Sequence, residues 1–498
     1  MTQQAYLVFD IGTGNARVAV VDINGNVLSI ERADILYHND DLYPDARHFI
    51  PEVLWEQIAG LAKLALSNVP DIHILAVTST SQRQGIVLVD EAGESYLGLP
   101  NIDNRGREWE ERYSDQPSIY PITGRTPSAL FSAMKLVGLR ERHLQQYQRL
   151  NRFTSISDWV TYALSGVLSY EPSQACETLL YDVEHNDWST DMCHTFGIEP
   201  TVLPSLVPSG SVLGTLLPGV AAELNLPVDT PVIVGGGDTQ LAIHSTGAQA
   251  EDIVIVSGTT TPIAKITDTF TTDDSAQAWI NAYTTPHQFL IETNPGITGL
   301  NYQKLQSIFY PNEGYAMMEQ EMNELEDSQC VAALGSYLSS AKNARVRGGF
   351  LFDAPLSDQL SRAHFVRSAL HEIAFSIKVN FDQLAQVVSL DRSYIWACGG
   401  GLQSRTLIQS IADLLGKEIR IRTGFEHASI VGAAYICNTA LDIQSTQTEQ
   451  ITTFQPQPSD LLQKDYQKWH ATQLFFAQLA LAESATKATT ISSSESSI

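Results

Sequence analysis

The sequence predicts an α/β fold built from two similar halves. Apolar and β-branched segments alternate along the chain with segments of helical periodicity, a pattern typical of sheets covered by helices. Residues 6–22 (YLVFDIGTGNARVAVVD) run from an apolar strand through a turn of small residues into a second strand, and residues 251–268 (EDIVIVSGTTTPIAKITD) repeat this order. The repetition indicates a duplicated architecture with a ligand-binding cleft between the halves.

Composition and charge limit the class of protein. The chain has 498 residues, of which 43% are hydrophobic, so it can bury the cores of several domains. It carries 30 Lys and Arg residues against 56 Asp and Glu residues, and the net charge of −26 repels nucleic acid and anionic membranes. The five cysteines show no CxxC spacing, and the N-terminus lacks the basic and apolar regions of a signal peptide. We therefore expect a cytoplasmic protein without nucleic-acid or membrane partners.

The first turn, Gly12–Asn15 (GTGN), joins two strands rather than a strand and a helix. It lacks the lysine of a Walker loop and the spacing of a dinucleotide fingerprint, which excludes both motifs. Its two glycines permit positive φ angles and a concave row of backbone N–H groups that can hold an anion. Asp10, at the end of the preceding strand, is placed to hold magnesium beside that anion. An ordinary hairpin turn explains the same residues.

A polar cluster follows the next apolar segment, residues 72–81 (IHILAVTSTS), which reads as a buried strand. Ser81-Gln82-Arg83-Gln84 come directly at its end, and Asp103 and Arg105 follow after a predicted hairpin. Amides, a guanidinium and a carboxylate can each pair with a hydroxyl of a polyhydroxylated ligand. A solvated loop explains these residues almost as well.

A candidate general base follows the strand PVIVGGG. Asp238 comes directly after three glycines and at the predicted start of a helix. A carboxylate there can accept a proton from a substrate hydroxyl that attacks a phosphoryl group. Capping of the helix is the structural alternative.

The remaining segments complete the predicted organisation. A domain boundary is expected in the small, polar stretch near residue 248, which gives domains of residues 1–248 and 249–482 and a disordered polar tail of residues 483–498. Gly399–Gly401 follow a strand and precede a helix, where they either let a planar group lie against the backbone or serve packing alone. The other predicted elements are helix 53–66, hairpin 85–100, a helical layer within 126–164 and a long helix within 359–388.

Taken in order, these segments resemble the motifs of the FGGY carbohydrate kinases. The segments that carry the resemblance are FDIGTGNARVAVVD, SQRQGIVLVDEAG, NIDNR, ISDWVTYALSG, LPSLVPSGSVLG, VIVGGGDTQLA, VSGTTT, CGGGLQSRTLIQSIADLLGKEI and EHASIVGAA. They extend over roughly residues 5–475. Each motif alone is weakly specific, but the ordered series is highly specific.

The resemblance implies a duplicated actin-like, ribonuclease H-like fold that closes on a sugar and ATP. It implies that Asp238 is the catalytic base and that magnesium involves Asp10 and Asp238. The implied ATP-binding residues are Gly12, Thr13, Gly14, Asn15, Arg17, Ser257, Gly258, Thr259 and Thr260 at the phosphates, and Gly399, Gly400, Gly401, Gln403 and Ser404 at the adenine. The implied substrate contacts are Gln82, Arg83, Gln84, Asp103 and Asp238.

The subfamily is less sharply defined than the family. Arg83-Gln84-Gly85 and Asn101-Ile102-Asp103 depart from the Met-His-Gly and Trp-Asn-Asp of xylulokinases, and Gln82-Arg83 resembles glycerol kinases. GIVL, the Asn-x-Asp-x-Arg spacing and GGGDxQL together resemble autoinducer-2 kinases, which act on a linear dihydroxypentanedione. We therefore expect a kinase for a small sugar or polyol-like substrate, with autoinducer-2 favoured. Several alternatives remain open. They are xylulokinase-, glycerol- and tetritol-kinase-like activities, a sugar- and nucleotide-binding regulator without turnover, and an actin-like or chaperone-type ATPase with a protein client. Assembly as a homodimer also remains open.

Overall fold

The computed structural model describes residues 3–258, 260–296, 298–335, 348–445 and 450–495. The chain forms two compact units. Unit 1 comprises Met1–Asp252, Lys265–Glu292 and Thr423–Gln450, and unit 2 comprises Ile253–Ala264, Thr293–Arg422 and Ile451–Ile498. This division differs from a single cut after residue 248, because the chain returns to unit 1 twice.

The secondary structure alternates strands and helices along both units. The strands are β1 (Gln3–Ile11), β2 (Asn15–Asp22), β3 (Val27–Asp34), β4 (His38–Asn39), β5 (Arg47–His48), β6 (Ile72–Ser81), β7 (Ile86–Val89), β8 (Ser95–Leu99), β9 (Arg152–Ser155), β10 (Tyr181–Asp182), β11 (Asp187–Trp188), β12 (Val212–Thr215), β13 (Pro231–Gly237), β14 (Ile253–Val256), β15 (Ile263–Thr267), β16 (Trp279–Ala282), β17 (Phe289–Thr293), β18 (Cys330–Ala333), β19 (Gly349–Phe352), β20 (Tyr394–Cys398), β21 (Glu418–Arg422) and β22 (Ile451–Phe454). The helices are α1 (Pro51–Ser67), α2 (Glu110–Ser114), α3 (Ile119–Thr123), α4 (Ser132–Arg142), α5 (Leu144–Gln148), α6 (Ile156–Ser165), α7 (Pro172–Ala175), α8 (Thr190–Phe196), α9 (Pro218–Leu224), α10 (Asp238–Ser245), α11 (Gly299–Phe309), α12 (Tyr315–Asn323), α13 (Arg362–Val387), α14 (Arg405–Leu415), α15 (Ala428–Ala440) and α16 (Asp460–Glu495).

Unit 1 is organised around a six-stranded sheet of order β12-β13-β6-β1-β2-β3. Helices cover both faces of β1, which explains why this strand is apolar at nearly every position. Leu7 and Phe9 pack in the core cluster that includes residues of α1 and α6. Tyr6 and Val8 point to the opposite face and pack with residues of α10 and α15. The predicted first hairpin is confirmed, with β1 and β2 antiparallel.

The three central strands of this sheet end at one edge. β6 is parallel to β1 and to β13, with Ser81 opposite both Ile11 and Gly237. The Gly12–Asn15 turn, the Gln82–Gln84 segment and Asp238 therefore leave the sheet side by side. Gly235 permits the close approach of β13 to β6, because a Cβ atom there would lie 1.8 Å from the Ser79 carbonyl oxygen.

In unit 2, β14, β20 and β21 are parallel neighbours, and β22 pairs antiparallel with β21. The long predicted helix is confirmed as α13, and the helix after the glycines as α14. The amphipathic α14 begins at Ser404, whose side chain accepts a hydrogen bond from the Leu407 N–H and so caps the helix.

Two segments differ from the sequence-based expectations. The helical layer within residues 126–164 is interrupted by β9, because residues 152–155 pair with β7 as the third strand of a small sheet. Helix α16 continues to Glu495, across residues 483–495 for which a disordered tail is predicted, and its middle part is rich in the strong helix former alanine. Residues 496–498 lie outside the described residues. Among the described residues, every helix is too short or too polar to cross a membrane.

Candidate active site

The Gly12–Asn15 turn is a tight hairpin rather than a fully open row of donors. The Gly12 N–H donates to the Asn15 carbonyl oxygen at 3.0 Å, so it is not free for an anion. The two glycines permit positive φ angles, but neither Gly12 nor Gly14 adopts one. Gly14 is exposed, with open space around the position of a Cβ atom, and the half-buried Thr13 adds a hydroxyl at the same turn.

Asp10 is a buried carboxylate at the end of β1. Its direct cross-strand neighbour is Arg17, whose guanidinium forms a short ion pair with Asp10 Oδ2. The Ser429 hydroxyl, from α15, donates to the same oxygen at 3.0 Å. Asp10 therefore has a fixed orientation at the sheet edge, with a cation and a hydroxyl on one of its two oxygens.

Gln82 and Asp103 use their polar atoms inside the protein. The Gln82 amide donates to the Gly12 carbonyl oxygen at 2.9 Å and to the Tyr37 hydroxyl at 3.3 Å, and it accepts from the Asn101 N–H at 2.8 Å. The fully buried Asp103 carboxylate accepts from the Arg47 N–H and from Arg105 Nε, both at 2.8 Å. Gln82 and Asp103 therefore stabilise the neighbouring loops through hydrogen bonds within the protein.

Arg83 and Gln84 belong to a buried charged network. Arg83 binds both oxygens of Glu292, at 2.7 and 2.9 Å, and lies 3.3 Å from Glu177. Gln84 donates to Glu177 at 2.6 Å and has a φ of 66°, which is a strained backbone conformation for a non-glycine residue. Arg125 binds the other oxygen of Glu177 at 2.9 Å and also the Asn281 side chain. Two guanidiniums thus balance two carboxylates.

Electrostatics keep this network ionised although it is buried. Burial disfavours the charge on Arg83, but the carboxylates of Glu292 and Glu177 outweigh it and raise the pKa of this guanidinium. Burial opposes ionisation of Glu177 as well, yet Arg125 and Arg83 hold its pKa below the ordinary value. The Trp279 ring lies 4.8 Å from the Arg125 guanidinium carbon and 5.7 Å from that of Arg83, which adds cation–π contacts.

Five members of this network were missed by sequence reasoning, namely Arg125, Glu177, Trp279, Asn281 and Glu292. None of the five belongs to a recognisable motif, and they come from two separate segments of unit 1, Met1–Asp252 and Lys265–Glu292. One local signal was available. Ser173, Gln174 and Glu177 are polar residues in a buried segment, and buried polar groups are rarely left unpaired, so they indicate partners elsewhere in the fold.

Asp238 is the first residue of α10, and Gly237 occupies the N-cap position without a side-chain hydrogen bond. Asp238 Oδ1 accepts from the N–H and the hydroxyl of Thr239, at 2.7 and 3.2 Å. Within the described part of the chain, Oδ2 makes no hydrogen bond. Burial raises the pKa of Asp238 to about 6, with Arg83 opposing this shift and Asp10 adding to it. The carboxylate therefore has a free oxygen and a basicity near that useful for general-base catalysis at neutral pH.

A second cluster of carboxyl groups, Asp158 and Glu171, is hydrogen-bonded to the glycine-rich end of β13. The Gly237 N–H donates to the Ser173 hydroxyl at 3.0 Å, and Ser173 in turn donates to Glu171. The Glu171 N–H donates to Asp158 at 3.0 Å. Burial raises the pKa of Asp158 to about 6 and that of Glu171 to about 8, and among the described residues neither carboxyl group forms an ion pair.

The predicted phosphate residues of unit 2 form a second turn. The Ser257 N–H donates to the Cys398 carbonyl oxygen, and the Ser257 carbonyl accepts from the Gly401 N–H, both at 2.8 Å. The Gly258 N–H donates to the Thr260 carbonyl oxygen at 2.8 Å, so it is internally bonded like that of Gly12. Thr259 lies outside the described residues.

Packing explains two of the three glycines at residues 399–401. Gly399 has a φ of 103°, and a Cβ atom there would lie 2.3 Å from the Ser257 carbonyl oxygen. A Cβ atom on Gly401 would lie 2.4 Å from the Ser257 hydroxyl. Gly400 and Gln403 are exposed, and Ser404 is the cap of α14. Packing therefore explains Gly399 and Gly401, and the exposed Gly400 and Gln403 remain free to meet a ligand.

The residues at the edge of the unit 1 sheet fit a magnesium ion held mainly through water. Among the described residues there is no group of three or more His, Cys, Asp or Glu side chains that could hold a metal alone. Asp238 Oδ2 makes no hydrogen bond within the described part of the chain, and after burial the negative charge of Asp10 is a further cause that raises the pKa of Asp238. Magnesium commonly uses one or two carboxylates together with waters and phosphate oxygens, which matches this donor set.

Comparison with known proteins identifies relatives over nearly the whole chain. Residues 5–244 match the N-terminal domain and residues 330–441 the C-terminal domain of the FGGY family of carbohydrate kinases. The Bacillus subtilis (strain 168) protein named "Putative sugar kinase YoaC" is 58% identical over 477 residues, which cover 95% of this chain and 98% of that protein. An autoinducer-2 kinase of Yersinia enterocolitica is 26% identical over 449 residues, covering 86% of this chain and 84% of that protein.

Solved structures share the fold. A xylulose kinase from Rhodospirillum rubrum superposes with a TM-score of 0.78 at 18% identity, covering 94% of this chain and 98% of that chain. A Plasmodium falciparum glycerol kinase crystallised with ADP gives a TM-score of 0.80 at 17% identity, covering 96% and 98%. The predicted two-domain α/β fold is confirmed by this likeness. The chain therefore belongs to the FGGY family of carbohydrate kinases and is a phosphotransferase that acts on sugar hydroxyls.

Proposed function

We propose that this protein transfers the γ-phosphate of ATP to a hydroxyl of a small, uncharged sugar or polyol-like substrate, with Asp238 as the general base. The observation that carries the proposal is the Asp238 carboxylate itself. It stands at the start of α10 with one free oxygen and a pKa raised to about 6, on the sheet edge that also presents the Gly12–Asn15 turn. Use of ATP agrees with membership of the kinase family.

The chemical step needs a proton acceptor more than a covalent intermediate. As the oxygen of the substrate hydroxyl bonds to the γ-phosphorus, the bond from this phosphorus to the bridging oxygen breaks and ADP leaves. The proton of the hydroxyl moves to Oδ2 of Asp238, and Oδ1 stays bonded to Thr239. The nearby Arg83 favours the ionised form of Asp238 before the reaction. Magnesium, when bound beside Asp10 and Asp238, supplies charge neutralisation at the phosphates.

The charge balance of the network that contains Arg83 supports an uncharged substrate. Arg83 and Arg125 are already paired with Glu292 and Glu177, so no guanidinium is left over to neutralise a substrate carboxylate or phosphate. The carboxylates and amides of such a network instead accept from or donate to hydroxyls. This argues for a neutral polyol or hydroxyketone.

Autoinducer-2, as the linear dihydroxypentanedione, is the substrate we favour. It is neutral and polyhydroxylated, and relatives at 25–26% identity are named autoinducer-2 kinases. Xylulose, glycerol and tetritols are the alternatives. Magnesium dependence, a cytoplasmic location and a homodimer stay predictions.

The direct test is ADP release from the purified protein with magnesium-ATP and a panel of acceptors. The panel contains dihydroxypentanedione, xylulose, ribulose, fuculose, glycerol, erythritol, gluconate as an anionic acceptor, and no acceptor. We expect strong ADP release with one neutral acceptor and none with gluconate. Preference for gluconate would contradict the neutral-substrate argument, and acceptor-independent hydrolysis would contradict the kinase proposal.

A further inference from the structure

We propose that Asn101 and Gln82 are positioning residues that brace the Gly12–Asn15 turn and aim the Thr13 hydroxyl at a phosphate of ATP. The inference rests on the proposed kinase function. It assigns Gln82 to the phosphate side of the reaction rather than to the sugar. It also gives Asn101, which was not among the expected site residues, a defined role.

The hydrogen-bonding capacity of Gln82 is already used. Its Nε2 atom has two hydrogens, and these go to the Gly12 carbonyl oxygen and to the Tyr37 hydroxyl. Its Oε1 atom accepts from the Asn101 N–H. The carbonyl partner fixes Nε2 and the N–H partner fixes Oε1, so the amide has only one consistent orientation. Gln82 therefore has no N–H left to offer a sugar hydroxyl.

Asn101 orients Thr13 directly. Asn101 Nδ2 donates to Thr13 Oγ1 at 2.9 Å, which occupies an acceptor site of that hydroxyl. Among the described residues, Thr13 Oγ1 has no other partner, so its own hydrogen is free to donate away from Asn101. A hydroxyl donor at a turn with the exposed Gly14 suits an anionic oxygen.

The backbone of the turn is held from a second side by Tyr37. The Tyr37 hydroxyl donates to the Thr13 carbonyl oxygen at 2.8 Å while it accepts from Gln82. Burial raises the pKa of Tyr37 to about 12, so this phenol keeps its proton at neutral pH. Gly12 and Thr13 are thus each fixed through a backbone carbonyl, and Thr13 also through its side chain.

The loop that carries Asn101 is itself anchored in the core. The fully buried Lys135 of α4 donates to the Asp103 carbonyl oxygen at 2.6 Å and reaches the Asn101 carbonyl oxygen at 3.4 Å. The Asp103 carboxylate adds its bonds to the Arg47 N–H and to Arg105. A continuous set of contacts therefore runs from α4 through residues 101–103 to Thr13.

The test compares Asn101→Ala with Thr13→Ala, with the double variant and with Asn104→Ala as a matched control. Asn104 lies on the same loop but donates to the Ile102 carbonyl oxygen, and among the described residues its side chain makes no hydrogen bond to the turn. We expect Asn101→Ala to lower kcat/KM for ATP about tenfold, the size of effect of one hydrogen bond to a charged group, while the KM for the acceptor changes less than about twofold. The double variant should be no worse than Thr13→Ala alone, and Thr13→Ser, which keeps the hydroxyl, should lose less activity than Thr13→Ala. Asn104→Ala should match the unchanged protein.

Three results would overturn the proposal. The first is a higher acceptor KM with unchanged ATP kinetics in Asn101→Ala, which would make Asn101 a substrate contact. The second is an effect of Asn101→Ala that persists in the Thr13→Ala background, and the third is an equal effect of Asn104→Ala.

A binding measurement separates this inference from the kinase proposal. Calorimetry compares ATP with adenosine, which lacks phosphates, on the full-length chain. We expect Asn101→Ala to weaken ATP binding and to leave adenosine binding unchanged, whether or not an acceptor supports turnover. If Asn101→Ala and the unchanged protein bind ATP with equal affinity, the bracing role is overturned even if kinase activity is found.

Discussion

Two buried glutamates of unit 1, Glu177 and Glu171, lie six residues apart in the sequence but in opposite surroundings. Glu177 contacts Arg125 and Arg83, and their charges keep its pKa below the ordinary value in spite of burial. Glu171 is bonded to Ser173 and to the Gln174 N–H, and burial raises its pKa to about 8. At neutral pH the first is ionised and the second is largely protonated. The partners, rather than the depth of burial, therefore decide the charge of a buried carboxyl group.

Asp238 is an intermediate case in this comparison. It has one cationic neighbour, Arg83, and one anionic neighbour, Asp10, and its pKa of about 6 lies between those of the two glutamates. Such a group is ionised at neutral pH yet remains basic enough to accept a proton in the transition state. The same electrostatic rules thus produce a structural anion, a neutral hydrogen-bonding acid and a candidate base within one unit.

The largest expected effect follows from Asp238→Asn. An amide keeps the shape and the bond to the Thr239 N–H but cannot take the proton, so we expect kcat to fall by roughly three orders of magnitude. In the unchanged protein, kcat/KM for the acceptor should fall about tenfold per pH unit below pH 6, because the base becomes protonated there. Steady-state kinetics over pH 5–8, with circular dichroism to confirm folding, provide the measurement. Near-normal turnover of the variant would remove Asp238 from the mechanism.

The next effect is on stability and concerns Glu177→Gln. This change removes one of two carboxylates that balance two buried guanidiniums, so Arg125 loses an ionic partner in the interior. We expect a loss of about 3–5 kcal/mol in the free energy of unfolding, as for other broken buried ion pairs. Urea unfolding at pH 7 measures this loss. Glu171→Gln is the matched control, since it makes the same substitution at an equally buried glutamate.

The sequence predicts the parts of this site that depend on local pattern. The β1–β2 hairpin, the strand before Gln82 and the placement of Asp238 directly after a glycine-rich strand all follow from strand periodicity and turn residues. The shared sheet edge follows from the parallel pairing of β6 with β1 and β13. The hairpin, the strand and the placement of Asp238 need no knowledge of distant contacts, whereas the shared edge depends on pairing between strands far apart in the sequence.

The sequence could not predict which polar side chains already have hydrogen-bond or ion-pair partners within the protein. Gln82 and Arg83 are adjacent and equally polar, yet one braces a turn and the other binds Glu292 from a segment more than two hundred residues away. The pairing depends on register and tertiary packing, which single-sequence patterns do not contain. For the same reason the bonds of Asp103 to Arg47 and Arg105 were not expected.

The smallest expected effect is that of Glu171→Gln near pH 4. A protonated glutamate already presents one acceptor oxygen and one donor, and glutamine presents the same arrangement with an amide. The bonds from Ser173 and from the Gln174 N–H to one oxygen can therefore persist. We expect a change in the free energy of unfolding below about 1 kcal/mol near pH 4, where this glutamate is protonated in the folded and in the unfolded chain. A loss at pH 7 as large as that of Glu177→Gln would show that Glu171 is ionised and would remove the contrast between the two residues.

The pH dependence of stability tests the same contrast with a definite sign. The folded-state pKa of Glu171, about 8, is above the ordinary value of 4.5, so between these values the folded protein binds a proton that the unfolded chain has lost. The contribution of Glu171 to stability therefore decreases as pH rises through this window, by up to about 1.4 kcal/mol per pH unit. Glu171→Gln removes this term, and subtracting its unfolding free energy from that of the unchanged protein cancels all other titrating groups. Between pH 6 and 8 we expect the difference to shift in favour of the variant as pH rises, and a constant difference would mean that the pKa of Glu171 is not raised.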